Sequence, residues 1–268
     1  MARRVCLWCG STPLSREHVN PRWLTTVLPE QDKQRAQDMA SYQVGPSGLL
    51  QPGGDARRTV QEGFTEMTSK AVCRPCNHGW METLESAARP ILTPMIQGHP
   101  TVLTAADLKI LGRWAVKSAF IANTTGGEDR ADLDDAAAKF YRQQQCPPET
   151  YVWIGAHNNP DFALLNEVHG FLVDGEGVDM SQRPNTMAVT FGLGRLVLQT
   201  ILTSCTSLVH PQLDKMTHRA VRRVWPHPAG FRWSLQRKLS AIDLYEFTNS
   251  MALALSTKPM PGSGERRI

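Results

Sequence analysis

Two Cys-x-x-Cys pairs, Cys6–Cys9 and Cys73–Cys76, constrain this chain more than any other feature. A CxxC turn places two thiolates side by side, and two such turns complete a tetrahedral all-sulfur shell of the kind zinc prefers. A redox pair needs only one CxxC, so the duplication favours a structural zinc site. The long stretch between the pairs includes residues 30–63, a polar run carrying Gly45, Pro46, Gly48, Pro52, Gly53 and Gly54. It reads as a loop or insertion, and closure costs rise only slowly with loop length. The remaining cysteines, Cys146 and Cys205, are isolated and read as small hydrophobes.

The rest of the composition sets bounds. The chain has 268 residues, 41% of them hydrophobic and 20% charged, with net charge +4. This is ordinary for a globular protein, and the mild basicity permits nucleic-acid binding without requiring it. No apolar run is long enough to cross a bilayer. The opening MARRVCLWCG has two arginines with no apolar segment after them, unlike a secretory signal. The expectation is a cytoplasmic protein with no membrane partner, where reduced cysteines serve as metal ligands.

The expected fold class is α+β: a small zinc module at residues 1–98, a larger mixed α/β region at 99–256, and a disordered tail at 257–268. PRWLTTVL reads as a short helix with Pro21 at its first position. METLESAARPILTPMI reads as helical until Pro90, with Trp80, Leu84 and Ala87 on one face. Thr104 can cap a helix running to residue 122, and ADLDDAAAKFYRQQQ makes another. YVWIGA, HGFLVD and TMAVTF are strand candidates. Gly192 and Gly194 separate the last of these from RLVLQTILTS, which reads as helical. Ser240 and Asp243 form a capping-box start for a helix over Ile242–Leu255. Lys117, beside Trp114, is expected to extend its charge to solvent.

The cysteine pairs enclose a second pattern. Glu17-His18-Val19-Asn20-Pro21 lies between them, and Asn77 follows Cys76 directly. Together these residues resemble the HNH endonuclease family, the ββα-metal nucleases, whose pattern is CxxC, Asp-His-(apolar)-x-Pro, then CxxCN. The resemblance covers about residues 5–85 and implies a ββα, treble-clef-like form for the zinc module. It departs from the family in three ways: Glu17 stands where Asp is commoner, Thr68, Ser69 and Lys70 occupy the region of the middle Asn, and Asn77 replaces the last His.

The resemblance implies a metal-dependent DNA endonuclease with His18 as general base and Glu17 and Asn77 on a catalytic divalent ion. The residue chemistry agrees. Imidazole titrates near neutrality and suits a base. Oxygen ligands suit Mg²⁺ or Mn²⁺, which offsets charge at the developing phosphorane. His78 adjoins Asn77, but helix neighbours point about 100° apart, which disfavours it as a third ligand. Glu82 and Glu85 are expected on solvated or packing faces, and Trp80 as a core anchor.

Arg219, Arg222, Arg223 and Arg232 interleave with Trp225, Phe231 and Trp233. Such mixing can grip the phosphates of DNA, expected to be double-stranded, and stack on bases. An edge strand with a basic outer face is the plainer reading. His157, His169 and His210 show no ligand spacing. The implied biology is phage, mobile-element or antiviral defence, and a homodimer is left open. The competing function is a catalytically inactive, zinc-stabilised nucleic-acid-binding or regulatory protein. That alternative would keep the cysteines and tolerate loss of Glu17 and His18.

Overall fold

The computed structural model describes residues 4–28, 65–125, 131–171, 184–204, 220–226, 229–233 and 237–249, together with the backbone of four short strands between 37 and 60. The chain mixes helices with antiparallel sheets.

Strand β1, Leu14–His18, begins the N-terminal part. The polar stretch contributes β2 (Gln37–Met39), β3 (Tyr42–Val44), β4 (Leu50–Pro52) and β5 (Arg58–Val60). These form two short antiparallel pairs, β2 with β5 and β3 with β4, rather than loop throughout. Three-residue strands are too short to display a period of two. Strand β6, Thr68–Cys73, pairs with β1, placing Glu17 opposite Ser69 and His18 opposite Thr68. The short helix at Arg22–Thr26 is 3₁₀, with Pro21 one position before it as N-cap.

After β6 the chain turns through α1, Arg74–Cys76, and a widened π-type turn, Asn77–Met81, into α2, Glu82–Gln97. Helix α2 does not stop at Pro90; it contains both Pro90 and Pro94. Each proline forfeits a backbone bond. The helix persists because Leu84, Ala88, Ile91, Leu92, Met95 and Ile96 are buried, and packing outweighs propensity in such elements. Ala87 is exposed, so the buried face is not the one centred on it.

Strand β7, Thr101–Leu103, precedes α3, Ala105–Asn123, whose N-terminus has the expected Thr104 cap as a reciprocal box with Asp107. From Val116 to Asn123 every residue of α3 is buried. Helix α4, Asp134–Gln143, follows.

The larger sheet is built from β8 (Thr150–Ala156), β9 (Leu164–Phe171), β10 (Thr186–Leu193), β11 (Leu196–Thr203) and β12 (Val221–Trp225), in the order β12-β8-β11-β10-β9. The segment expected to be helical, RLVLQTILTS, is therefore β11. Every residue of β11 is buried. Leu196, Leu198 and Leu202 enter the core shared with α3, whereas Val197 and Ile201 enter a second core with Leu244 and Phe247. Burial on both faces removes the apolar–polar alternation that marks a half-exposed strand. Gly192 lies inside β10, and Gly194 forms the hairpin turn at φ +60°. A Cβ at Gly194 would stand 2.5 Å from the Ile96 carbonyl oxygen.

Strand β13, Phe231–Trp233, pairs with β7. Helix α5, Ala241–Thr248, starts at the expected Ser240–Asp243 box and has Asn249 as its C-cap. The remainder of the expected final helix and the tail lie outside the described residues. One apolar cluster runs from Cys6 to Trp233, so the packing is continuous across residue 98. No helix among the described residues is long and apolar enough to cross a membrane.

Candidate metal centre and adjoining polar site

The first cysteine pair lies on a turn closed by Gly10 N–H donating to the Cys6 carbonyl at 2.9 Å, with Gly10 at φ +71°. The turn is tied to β6 by Leu7 N–H donating to the Ala71 carbonyl at 2.8 Å. Cys73 ends β6, and Cys76 lies on the following helical turn. The four sulfurs lie within 4.8 Å of one another, and those of Cys9 and Cys73 are 3.5 Å apart. A tetrahedral ion with metal–sulfur bonds of about 2.3 Å needs sulfurs about 3.8 Å apart. The cluster could hold a metal ion.

The thiols are free and most are buried. Burial and neighbouring sulfurs push Cys73 and Cys76 up. Burial also opposes ionisation of Cys9, but hydrogen bonds from the Ser11 side chain and backbone outweigh it and bring Cys9 down to about 6. Full ionisation of such a crowded quartet requires a cation to offset the repulsion. Aromatic rings wall the site: Trp8 meets Trp80 edge-on at 5.2 Å and Phe120 at 5.6 Å. Trp80 also packs with Phe140 and Tyr141. Trp80 is thus one of several aromatic anchors, and fully buried Trp8 has the more central place.

Glu17 and Asn77 meet beside this scaffold. The Asn77 amide donates to the Arg16 carbonyl at 3.1 Å, which sets it close enough to the Glu17 carboxylate to favour its charged form. Burial raises the Glu17 pKa; Lys117 opposes that shift, Glu85 adds to it, and the Asn77 amide lowers it. His18 is the next residue on β1, and successive strand side chains point to opposite faces. Burial lowers the His18 pKa, the nearby Arg22 lowers it further, and Glu66 opposes both. His78 points toward exposed Glu82, 3.8 Å away.

Lys117 does not extend to solvent. Its side chain is 1% exposed and its ammonium forms an ion pair with Glu85. Glu85 also accepts from Trp23 Nε1 at 2.7 Å. The sequence held a signal for this pairing: Lys117 sits between Trp114 and Phe120 on a helix too apolar to offer its stem a wet side. Its partner on α2 was not legible. Ser69 Oγ and Thr124 Oγ1 lie 2.6 Å apart, joining β6 to the end of α3.

The arginine-rich segment is divided between two sheets. Arg222 and Arg223 lie on β12, an edge strand whose Val221 and Val224 are buried, while Arg232 lies exposed on β13. As successive residues the two arginines point to opposite faces, so β12 is an edge strand without a single basic face. Arg219 lies outside the described residues, as do Cys205 and His210. Cys146 is buried, which pushes its thiol up to about 12 and suits a small hydrophobe.

The fold and site define a mixed α/β chain with a four-cysteine cluster competent to bind a metal. No family model, no curated protein and no solved structure matches it.

Proposed function

We propose that the protein is a metal-dependent DNA endonuclease in which zinc on Cys6, Cys9, Cys73 and Cys76 holds a phosphodiesterase site together. The supporting observation is the contact between Glu17 and Asn77, which come from opposite sides of the cysteine scaffold. Glu17 offers carboxylate oxygens and Asn77 an amide oxygen, hard donors that suit Mg²⁺ or Mn²⁺. An ion bound there would supply positive charge to the developing phosphorane. His18 would take the proton of the attacking water on a ring nitrogen. Its lowered pKa keeps the accepting, neutral form populated at neutral pH.

A specific observation favours a second reading. Lys117 lies close enough to Glu17 to stabilise its charge, so the carboxylate is partly matched by the protein's own cation. A zinc-stabilised binding or regulatory protein would need no more than that. Plasmid nicking separates the two. The endonuclease reading expects cleavage in Mg²⁺ or Mn²⁺ and a drop of at least about 100-fold in His18→Ala, with zinc content unchanged. Intact plasmid in Mg²⁺, Mn²⁺ and Ni²⁺, with zinc bound and the fold retained, would sink it.

A further inference from the structure

A second polar site lies at the far end of the helix that begins beside Asn77. Glu82 and Gln97, the ends of α2, are separated by about 22 Å at the usual helical rise of 1.5 Å per residue. There, Gln97, Gly98, Asn158, Arg195, Trp233 and Lys238 line a cleft of ≈ 530 Å³. Arg195 Nη1 donates to the Asn158 carbonyl at 3.1 Å and to its Oδ1 at 3.4 Å. Lys238 Nζ donates to the same Oδ1 at 3.0 Å. Two cations thus converge on one neutral amide, and no acidic residue is among the described lining. Both cationic side chains are exposed at the mouth of the cleft, where their like charges favour an anion.

The arrangement is fixed by the backbone. Arg195 N–H donates to the Ile96 carbonyl at 2.8 Å, and its carbonyl accepts from His157 N–H at 3.0 Å. The side-chain stem crosses Gly98, where a Cβ would lie 3.0 Å from Arg195 Cγ. Next to Lys238, buried Leu239 donates its N–H to the Ala156 carbonyl at 2.8 Å. The floor is formed by fully buried His157 and Trp233. Among the described residues Trp233 Nε1 has no hydrogen-bond partner, a condition rare for a buried donor.

We propose that this cleft binds a phosphate group through Arg195 and Lys238. Asn158 spends only part of their donor capacity: the remaining guanidinium N–H groups and two ammonium protons are available to phosphate oxygens. Its phosphate comes either from a small phosphorylated molecule or from a nucleic-acid backbone. Arg195 and Lys238 act independently of the cysteine cluster and of His18.

Calorimetric titration of the full chain with inorganic pyrophosphate tests the site. Saturable binding is expected, weakened about tenfold in each of Arg195→Gln and Lys238→Gln with melting temperature unchanged. Duplex-DNA anisotropy then identifies the source. An equal loss in the variants, with a shallower salt dependence, assigns the phosphate to nucleic acid. Unchanged DNA binding assigns it to a small ligand. His18→Ala should leave pyrophosphate affinity intact, so failure of the endonuclease reading does not remove this site. Absence of saturable pyrophosphate binding, or affinity unaltered in both variants, overturns the proposal.

Discussion

Lys117 joins the two halves of the chain at a single buried charge. Its ion pair with Glu85 links α3 to α2, and Glu85 extends the link to Trp23. Removing one member of such a pair leaves the other desolvated, whereas replacing both with apolar groups can be nearly neutral. Lys117→Met is therefore expected to lower stability by about 3–5 kcal/mol, and Lys117→Met with Glu85→Leu to recover most of it. Urea unfolding of both single variants and the double variant measures the coupling. Additive losses would show that the pair is not a unit. Because Lys117 also bears on Glu17, the same residue couples packing to the candidate metal ligands. The order of Glu17 and Asn77 around the cysteines was legible in the sequence, but their proximity was not. Lys117 was misjudged because snorkelling assumes a path to water that α3 lacks.

At the scale of the elements, the sheet carries a cost that depends on pH. Strand β9 buries His169, and burial lowers its pKa to about 4. The neutral imidazole is the form that fits. The folded pKa lies below the unfolded value of about 6.5, so the folded state binds fewer protons in that window. Stability attributable to this group is full above about pH 6.5 and declines as pH falls toward 4. The expected loss by pH 4 is on the order of 1–3 kcal/mol. Raised carboxylates such as Glu167 act in the opposite direction, so the comparison is with His169→Leu. Its urea midpoint should fall less steeply between pH 6.5 and 4 than that of the wild type. Equal slopes would remove His169 as the cause. None of this was visible in the sequence, where His169 had no ligand spacing and the burial of β9 depended on which strands flank it.

For the whole molecule, the continuous apolar cluster decides how the parts unfold. Cys6, Cys73 and Cys76 belong to the cluster that also contains Trp114, Val189 and Trp233. Besides Trp80, the Trp8 ring contacts Phe120 on α3 and Phe140 on α4, beyond residue 98. A metal on the cysteines would consequently stabilise the entire unit. Chelation, or Cys73→Ser, is expected to lower one cooperative melting transition by about 10 °C or more. Differential scanning calorimetry with and without a zinc chelator checks this. Two separated transitions, with only the smaller one moving, would show that the cysteine module melts alone.

Features written in short-range chemistry were determined by the sequence itself. The paired cysteines, the Thr104 and Ser240 caps with an aspartate three residues on, and the strands beginning near Thr150 and Thr186 each depend on neighbouring residues. Tertiary structure decided the rest. β11 is a strand because both of its faces are covered, which hides its period. α2 continues through Pro90 and Pro94 because its buried face offsets the missing backbone bonds. Lys117 is buried because Glu85 lies opposite on another helix. Asn77 reaches Glu17 only because β1, β6 and the turns that carry the cysteines hold the two sides together.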